Sequence, residues 1–351
     1  SQAGDIYAGR QPDDPEIKAV ASQGWPFENT LVTADPPAHT YFRKLVNRAF
    51  AKPVVDAMDG DMRAVVTSLI DGFIDRGRCD LVHDLAMPLP VRTIANQIGL
   101  AHIPSDRIRV WSEAVIDRFA GLIDRERELE CAKLIVEFQH IMLEQVNARR
   151  RDPSGDFLST LVHSAVEDER APTDGELLSI LQQLMVGGNE ATSSAIAGGT
   201  LALIEYPDQL AKLRSAPKLL AAFVEEVLRY VNPSQGTWRI AKHDTTLGGV
   251  PIPKGASVMV RLGSASRDPN IFADPDRFDI GRRNAHTHFA FGRGIHVCVG
   301  STLARREIAI CFEEILRRMT NIRLSPGETP QYEPNMITRK LSSLEVIFDK
   351  I

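Results

Sequence analysis

One cysteine is set apart by its neighbours. In the run Phe289-Ala290-Phe291-Gly292-Arg293-Gly294-Ile295-His296-Val297-Cys298-Val299-Gly300, three glycines bracket it. Glycine permits positive φ and lets the backbone approach something flat or bulky. A helical pattern follows from Gly300 to about Thr320, so Cys298 stands just ahead of a helix start. The unpaired N–H groups there favour an anion, here a thiolate. A thiolate held by backbone dipoles suits a soft or redox-active metal. Residue types alone leave three readings open. Cys298 is a ligand or nucleophile, or a small buried apolar residue. The third reading is one half of a zinc site with His296, which lacks a second Cys/His pair at ligand spacing.

Four other groups carry chemistry. Glu226 and Arg229 stand at i, i+3 and share a helix face. His39 and Arg43 stand at i, i+4 behind Asp35-Pro36-Pro37, and Arg239 precedes a strand-like region. Arg and His form charge-assisted bonds to carboxylates. In Met185-Val186-Gly187-Gly188-Asn189-Glu190-Ala191-Thr192, two glycines interrupt a helical pattern, at about 1 kcal/mol each relative to Ala. Close helix packing or a flat ligand accounts for them. The amides of Gln183 and Gln235 are able to bond a substrate oxygen.

These groups need elements to hold them. The first thirty or so residues read as loop, punctuated by Gly4, Gly9, Pro12, Pro15, Gly24 and Pro26. Asp35 as N-cap and Pro36 as first residue predict a helix to about Phe50, and a second runs from Pro53 to Gly77. Further helices are expected over about 88–100, 105–122, 126–150 and 217–231. The capping box Thr173-Asp174-Gly175-Glu176 opens a long apolar helix, stopped at Tyr206-Pro207. From Arg239 to Leu262 the period falls toward two, giving short strands, and a strand pair ends the chain. The class is mainly α with minor β. A helix-rich core is expected over about 35–235 and 298–320, and a β-rich part over about 239–262 and 322–350, within one domain spanning 1–351.

Composition removes several function classes. The 351 residues are 43 % hydrophobic and 25 % charged, an ordinary globular balance. A net charge of −5 argues against a nucleic-acid partner. No apolar run approaches the roughly 18 residues of a membrane span. Four cysteines in 351 residues make no disulfide framework and fit a reduced, cytoplasmic setting.

The cysteine segment resembles the heme-binding loop of the cytochrome P450 family, Phe-Gly-x-Gly-x-His-x-Cys-x-Gly, followed here by Leu303-Ala304-Arg305-Arg306-Glu307. The resemblance, to the bacterial soluble type, extends over nearly the whole chain. It implies the P450 fold: a triangular, helix-rich prism with a long central helix over the heme and small β-sheets. It makes Cys298 the thiolate ligand of iron in heme b, within a loop that includes Phe291, Gly292 and Gly300. His39, Arg43, Arg239 and His296 become propionate contacts. Glu226 and Arg229 join Arg277 in a structural triad. The implied activity is a monooxygenase that inserts one oxygen atom of O2 into a small apolar substrate. Electrons are expected from NAD(P)H through a separate reductase and a ferredoxin. Arg282, Arg283, Arg293, Arg305 and Arg306 form a basic patch able to steer such a partner. Substrate-pocket positions fall on Trp25, Phe27, Gln183, Val186, Gly187, Gln235, Thr237, Met336 and Ile337.

Two departures from the family pattern stand out. Gly187, Gly188 and Glu190 match the distal helix motif, but Ala191 fills the position of the threonine that guides proton delivery. Thr192 follows, turned by about 100° on a helix. A substrate hydroxyl or ordered water in that role, a local bulge that brings Thr192 round, or poor coupling are the three expectations, the first preferred. The family's usual N-terminal segment is also expected to be missing. A peroxide-driven peroxygenase and a catalytically impaired heme- or ligand-binding remnant are the alternative functions.

Overall fold

The structure is a computed structural model that describes residues 14–120, 123–164 and 170–351. Its longest element is the central helix, Asp174–Glu205. The capping box forms as its residues dictate. The Glu176 N–H donates to Thr173 Oγ1 at 3.2 Å, and the Thr173 N–H donates to Glu176 Oε2 at 2.8 Å. Pro207 ends the run and starts the next helix, Pro207–Ser215. Further along, Gly198 and Gly199 are packing glycines. A Cβ at Gly198 would lie 2.7 Å from Val231 Cγ1, and one at Gly199 3.1 Å from the Phe312 ring.

The chain packs as two compact units. The first takes residues up to Ala51, Ile94–Gly187 and Trp238–Val258. Its core includes Trp111 against Phe138, edge-on at 5.6 Å. Three polar side chains fasten its 24–32 segment. Gln139 accepts from the Trp25 N–H and donates to the Trp25 carbonyl, both at 2.9 Å. Ser179 accepts from the Glu28 N–H, and Gln183 accepts from the Val32 N–H while donating to Thr30 Oγ1. These bonds satisfy backbone groups of a segment that has little ladder of its own. Strands Thr245–Leu247 and Val250–Ile252 form a hairpin in this unit, turning at Gly248 and Gly249, both at positive φ.

The second unit takes Lys52–Thr93, Gly188–Thr237 and Met259–Ile351. A three-stranded antiparallel sheet places Glu345–Lys350 between Arg78–Asp80 and Met319–Leu324. Helix Ser301–Arg318 is tied to helix Asp59–Asp71 by charged pairs, Arg63 with Glu313 and Glu314, and Arg306 with Asp59. Helix Leu220–Val231 carries Phe223, stacked edge-on against Phe312 at 4.6 Å. It also carries a fully buried ion pair. Arg229 grips Glu226 through two bonds of 2.8 Å, and its remaining N–H groups reach the carbonyls of Ser266, Pro275 and Arg277.

The structure corrects several expectations. Residues 1–13, with Gly4, Gly9 and Pro12, lie outside the described residues, as do 121–122 at the end of the expected 105–122 helix. Within the expected opening loop, Pro15–Ala21 is helical, capped by Asp14, which accepts from the Glu16 and Ile17 N–H groups. The next helix begins at Ala38, not Pro36, because a residue ahead of proline disfavours helical backbone and two prolines follow Asp35. The expected 53–77 helix breaks at Met58 into Lys52–Ala57 and Asp59–Asp71. The triad also changes membership. Arg277 is exposed and contributes only its carbonyl. The second guanidinium is Arg282, buried, with Nε 3.3 Å from Glu226 and its other N–H groups on the Ala273, Asp274 and Arg277 carbonyls.

Two outcomes follow from this packing. Arg282→Ala removes a buried partner of Glu226 and orphans carbonyls, so it should cost on the order of 3 kcal/mol in denaturant unfolding. Arg277→Ala should stay within about 0.5 kcal/mol, and equal losses would reinstate Arg277 in the cluster. The second outcome concerns Glu307, buried with Oε1 unpaired, whose carboxyl burial pushes up to about 8 against the opposing effect of the neighbouring Thr93 hydroxyl. The folded state then holds a proton that the unfolded chain has released. Stability should fall as pH rises from the ordinary glutamate value of 4.5 to about 8. Glu307→Gln should gain on the wild type across that window, by up to about 1.4 kcal/mol per pH unit, and a pH-independent difference would contradict the assignment.

Candidate cofactor site

The cysteine loop hangs from the buried ion-pair cluster. Ser266, whose carbonyl takes one Arg229 bond, donates through Oγ to Asn232 Oδ1 at 2.7 Å and accepts from the Phe289 N–H at 3.0 Å. The loop then turns twice. The Gly292 N–H meets the Phe289 carbonyl at 2.8 Å, and the Cys298 N–H meets the Phe291 carbonyl at 2.9 Å. Gly292 at φ 66° and Gly294 at φ 77° need the left-handed region, and nothing lies within 4 Å of where either Cβ would stand. His296 closes a 3₁₀ turn, Gly294–His296. Gly300 then begins helix Ser301–Arg318 with no side chain on its first N–H groups.

Cys298 is exposed, flanked by exposed Ile295 and Val297. The other three cysteines are buried, and burial pushes the thiols of Cys79 and Cys311 far up. So Cys298 differs from them in access and in the helix start beside it, the two properties a ligating thiolate needs. Among the described residues no group of three or more His, Cys, Asp and Glu side chains is arranged to hold a metal ion. A single sulfur donor beside exposed apolar Ile295 and Val297 would suit an iron whose other ligands arrive with a flat prosthetic group.

The central helix carries the other segment singled out by the sequence. Gly187 and Gly188 meet no atom within 4 Å of a built Cβ, unlike Gly198 and Gly199. Ala191, one turn after Gly187, is half-buried, whereas Thr192 is 3 % exposed. The helix is unbroken α through this stretch, so no bulge brings Thr192 round. Glu190 is half-buried, and its carbonyl accepts from Ser194 Oγ.

The remaining expected residues are distributed as follows. In the first unit His39 is buried, and burial with the neighbouring Arg43 charge pushes its imidazole below the usual range against the pull of Asp35. Arg43 and Arg239 are half-buried, and Arg239 donates to the Trp238 carbonyl. Gln183 has both ends of its amide engaged by the 30–32 segment, so it is a structural fastener. Val186 is half-buried. In the second unit Gln235 donates to the Asn232 carbonyl, Thr237 is half-buried, and Met336 and Ile337 are exposed. The basic patch is largely neutralised. Arg282 pairs with Glu226, Arg305 with Glu225 and Arg306 with Asp59, while Arg293 donates to the Thr287 carbonyl. Sequence reasoning missed Glu225 and His288. Adjacent acidic residues on a helix give no sign of which one faces the loop.

Comparison with known proteins agrees with this geometry. The family model described as Cytochrome P450 matches residues 113–341. A steroid C26-monooxygenase of Mycobacterium tuberculosis is 32 % identical over 345 residues, covering 98 % of this chain and 92 % of the relative. The 6-deoxyerythronolide B hydroxylase of Saccharopolyspora erythraea is 33 % identical over 341 residues, covering 95 % and 83 %. Among solved structures, cytochrome P450 CREJ in complex with (4-ethylphenyl) dihydrogen phosphate superposes with a TM-score of 0.90 at 30 % identity, over 99 % of this chain and 87 % of that one. No described helix is long and apolar enough to cross a membrane. The family match and the near full-length similarity to these relatives place the chain in the cytochrome P450 family, whose members use heme iron and O2 for monooxygenation.

Proposed function

We propose that the protein is a monooxygenase whose heme iron is held by the Cys298 thiolate and whose substrate is a small, mainly apolar molecule bearing a hydroxyl group. The observation that carries this is the exposed Cys298 in its glycine-turned loop, ahead of an uncapped helix start. Heme b ligated there supplies a redox iron at which O2 is activated, its chemistry tuned by the thiolate.

The chain's own residues do the rest. The Phe291 carbonyl holds the Cys298 amide, and the uncapped helix start favours the anionic sulfur. His39, Arg43, Arg239 and His296 are assigned to the heme carboxylates. A carboxylate beside His39 would offset the burial and the Arg43 charge that now disfavour its protonated form. Gly187 and Gly188 are assigned to leaving room on the central helix, in keeping with the open space where their Cβ atoms would stand. Glu190 is assigned to proton supply. Ala191 leaves the usual hydroxyl position bare, and buried Thr192 does not replace it. A substrate hydroxyl is assigned to that place. Val186, Thr237, Gln235, Met336 and Ile337 are assigned to substrate contact. Electrons are assigned to NAD(P)H through a reductase and a ferredoxin. The two units are read as parts of one catalytic domain.

The bare Ala191 position also favours a second reading, a peroxygenase that takes its oxygen from hydrogen peroxide. Turnover separates them. Product from NAD(P)H, reductase and ferredoxin supports the monooxygenase, whereas product from peroxide alone supports the second reading. Since one relative is named for a steroid, paired steroids with and without a hydroxyl are suitable probes. The hydroxylated member should yield about twofold or more product per NAD(P)H consumed, and Ala191→Thr should erase the difference. Equal coupling in the wild type would contradict the assignment of a substrate hydroxyl.

A further inference from the structure

Glu225, next to the buried Glu226, serves a different end. Its side chain is 19 % exposed and takes two partners. Arg305 donates through Nε to Oε1 at 2.5 Å and through Nη2 to Oε2 at 3.2 Å. His288, whose side chain is 2 % exposed, brings Nε2 to 3.3 Å from Oε2. The opposite ring nitrogen of His288 accepts the Ala290 N–H at 3.1 Å. That bond leaves Nδ1 unprotonated and puts the ring proton on Nε2, facing Glu225.

Both partners of Glu225 reach one residue of the cysteine loop. The Arg305 guanidinium lies over the Phe291 ring, 4.5 Å from its centre. The His288 ring lies 5.7 Å from the Phe291 ring, tilted by 54°. Phe291 in turn supplies the carbonyl that takes the Cys298 N–H at 2.9 Å. From helix Leu220–Val231 a single carboxylate therefore contacts two side chains that in turn meet Ala290 and Phe291 on the approach to the cysteine.

We propose that Glu225 is a positioning residue for the cysteine thiolate, acting through His288 and Arg305 on Phe291 and so setting the sulfur's orientation and donor strength toward iron. Outer contacts that orient a ligand also tune the metal it binds. Burial opposes ionisation of Glu225, but the close His288 ring, the two bonds from Arg305 and the Arg305 charge outweigh it and hold the carboxyl down to about 2. The hub is therefore charged at working pH. The same pairing occupies Arg305, an arginine that sequence reading had offered to a redox partner.

The inference rests on Cys298 being the heme ligand, and the test separates the two claims. Heme-loaded full-length protein is reduced under carbon monoxide, and its absorption spectrum and reduction potential are measured for the wild type, Glu225→Gln and His288→Gln. A wild-type band typical of a neutral ligand overturns the reading of Cys298 and this inference with it. With a thiolate band in the wild type, both variants should raise the neutral-ligand share about tenfold and move the potential in one direction. Glu225→Asp should recover most of the wild-type behaviour. Variants that melt earlier but keep the wild-type spectrum and potential make the network merely structural and overturn the proposal. If Glu225→Gln retains no heme, His288→Gln, which leaves the Arg305 pair intact, carries the same two outcomes.

Discussion

A buried carboxylate held by two arginines is the constraint on which the site depends. Glu226 and Arg229 are both wholly removed from water, and Arg282 is nearly so. Burying such charges costs several kcal/mol per ion unless bonds replace hydration. Here they do. The two guanidiniums together reach the carbonyls of Ser266, Ala273, Asp274, Pro275 and Arg277, and the carboxylate also accepts the Asp279 N–H. An irregular segment with no ladder of its own is thereby given one set of partners. Ser266 passes that order to Phe289, where the cysteine loop begins. The cluster does no chemistry, yet the loop's start is fixed by it.

The two adjacent glutamates of helix Leu220–Val231 divide the work. Glu226 organises the segment behind the loop, and Glu225 organises the loop's own approach to Cys298. The central helix shows a similar division among glycines. Gly198 and Gly199 are small because Val227, Val231 and Phe312 leave no room, whereas a Cβ at Gly187 or Gly188 would meet none of the described residues' atoms within 4 Å. The same residue type serves packing in one half of a helix and leaves an open surface in the other.

Much of this was legible in the residues. The capping box, the proline stop and the unbroken 174–205 helix are local signals, and local chemistry decides them. The cysteine loop was legible because the spacing of its glycines, histidine and cysteine matches a long family motif, and Gly292 and Gly294 take the positive φ that glycine permits. The second arginine was not. Arg277 and Arg282 are both near enough in sequence, and only the path of the 272–282 turn decides which side chain goes inward. For Gln183 the sequence left two uses open, since an amide on an apolar helix serves a distant backbone segment as well as it serves a ligand. The strand Arg78–Asp80 escaped notice because three residues carry no measurable alternation, and its partner Glu345–Lys350 lies far along the chain.

The central claim is that Cys298 is the sulfur that binds heme iron. It is tested most directly by the absorption spectrum of the reduced, carbon monoxide-bound protein beside that of Cys298→His. The account predicts the strongly red-shifted Soret band of thiolate ligation in the wild type and a neutral-ligand band in the variant. Identical spectra from the two proteins would mean that iron is held elsewhere and would contradict it.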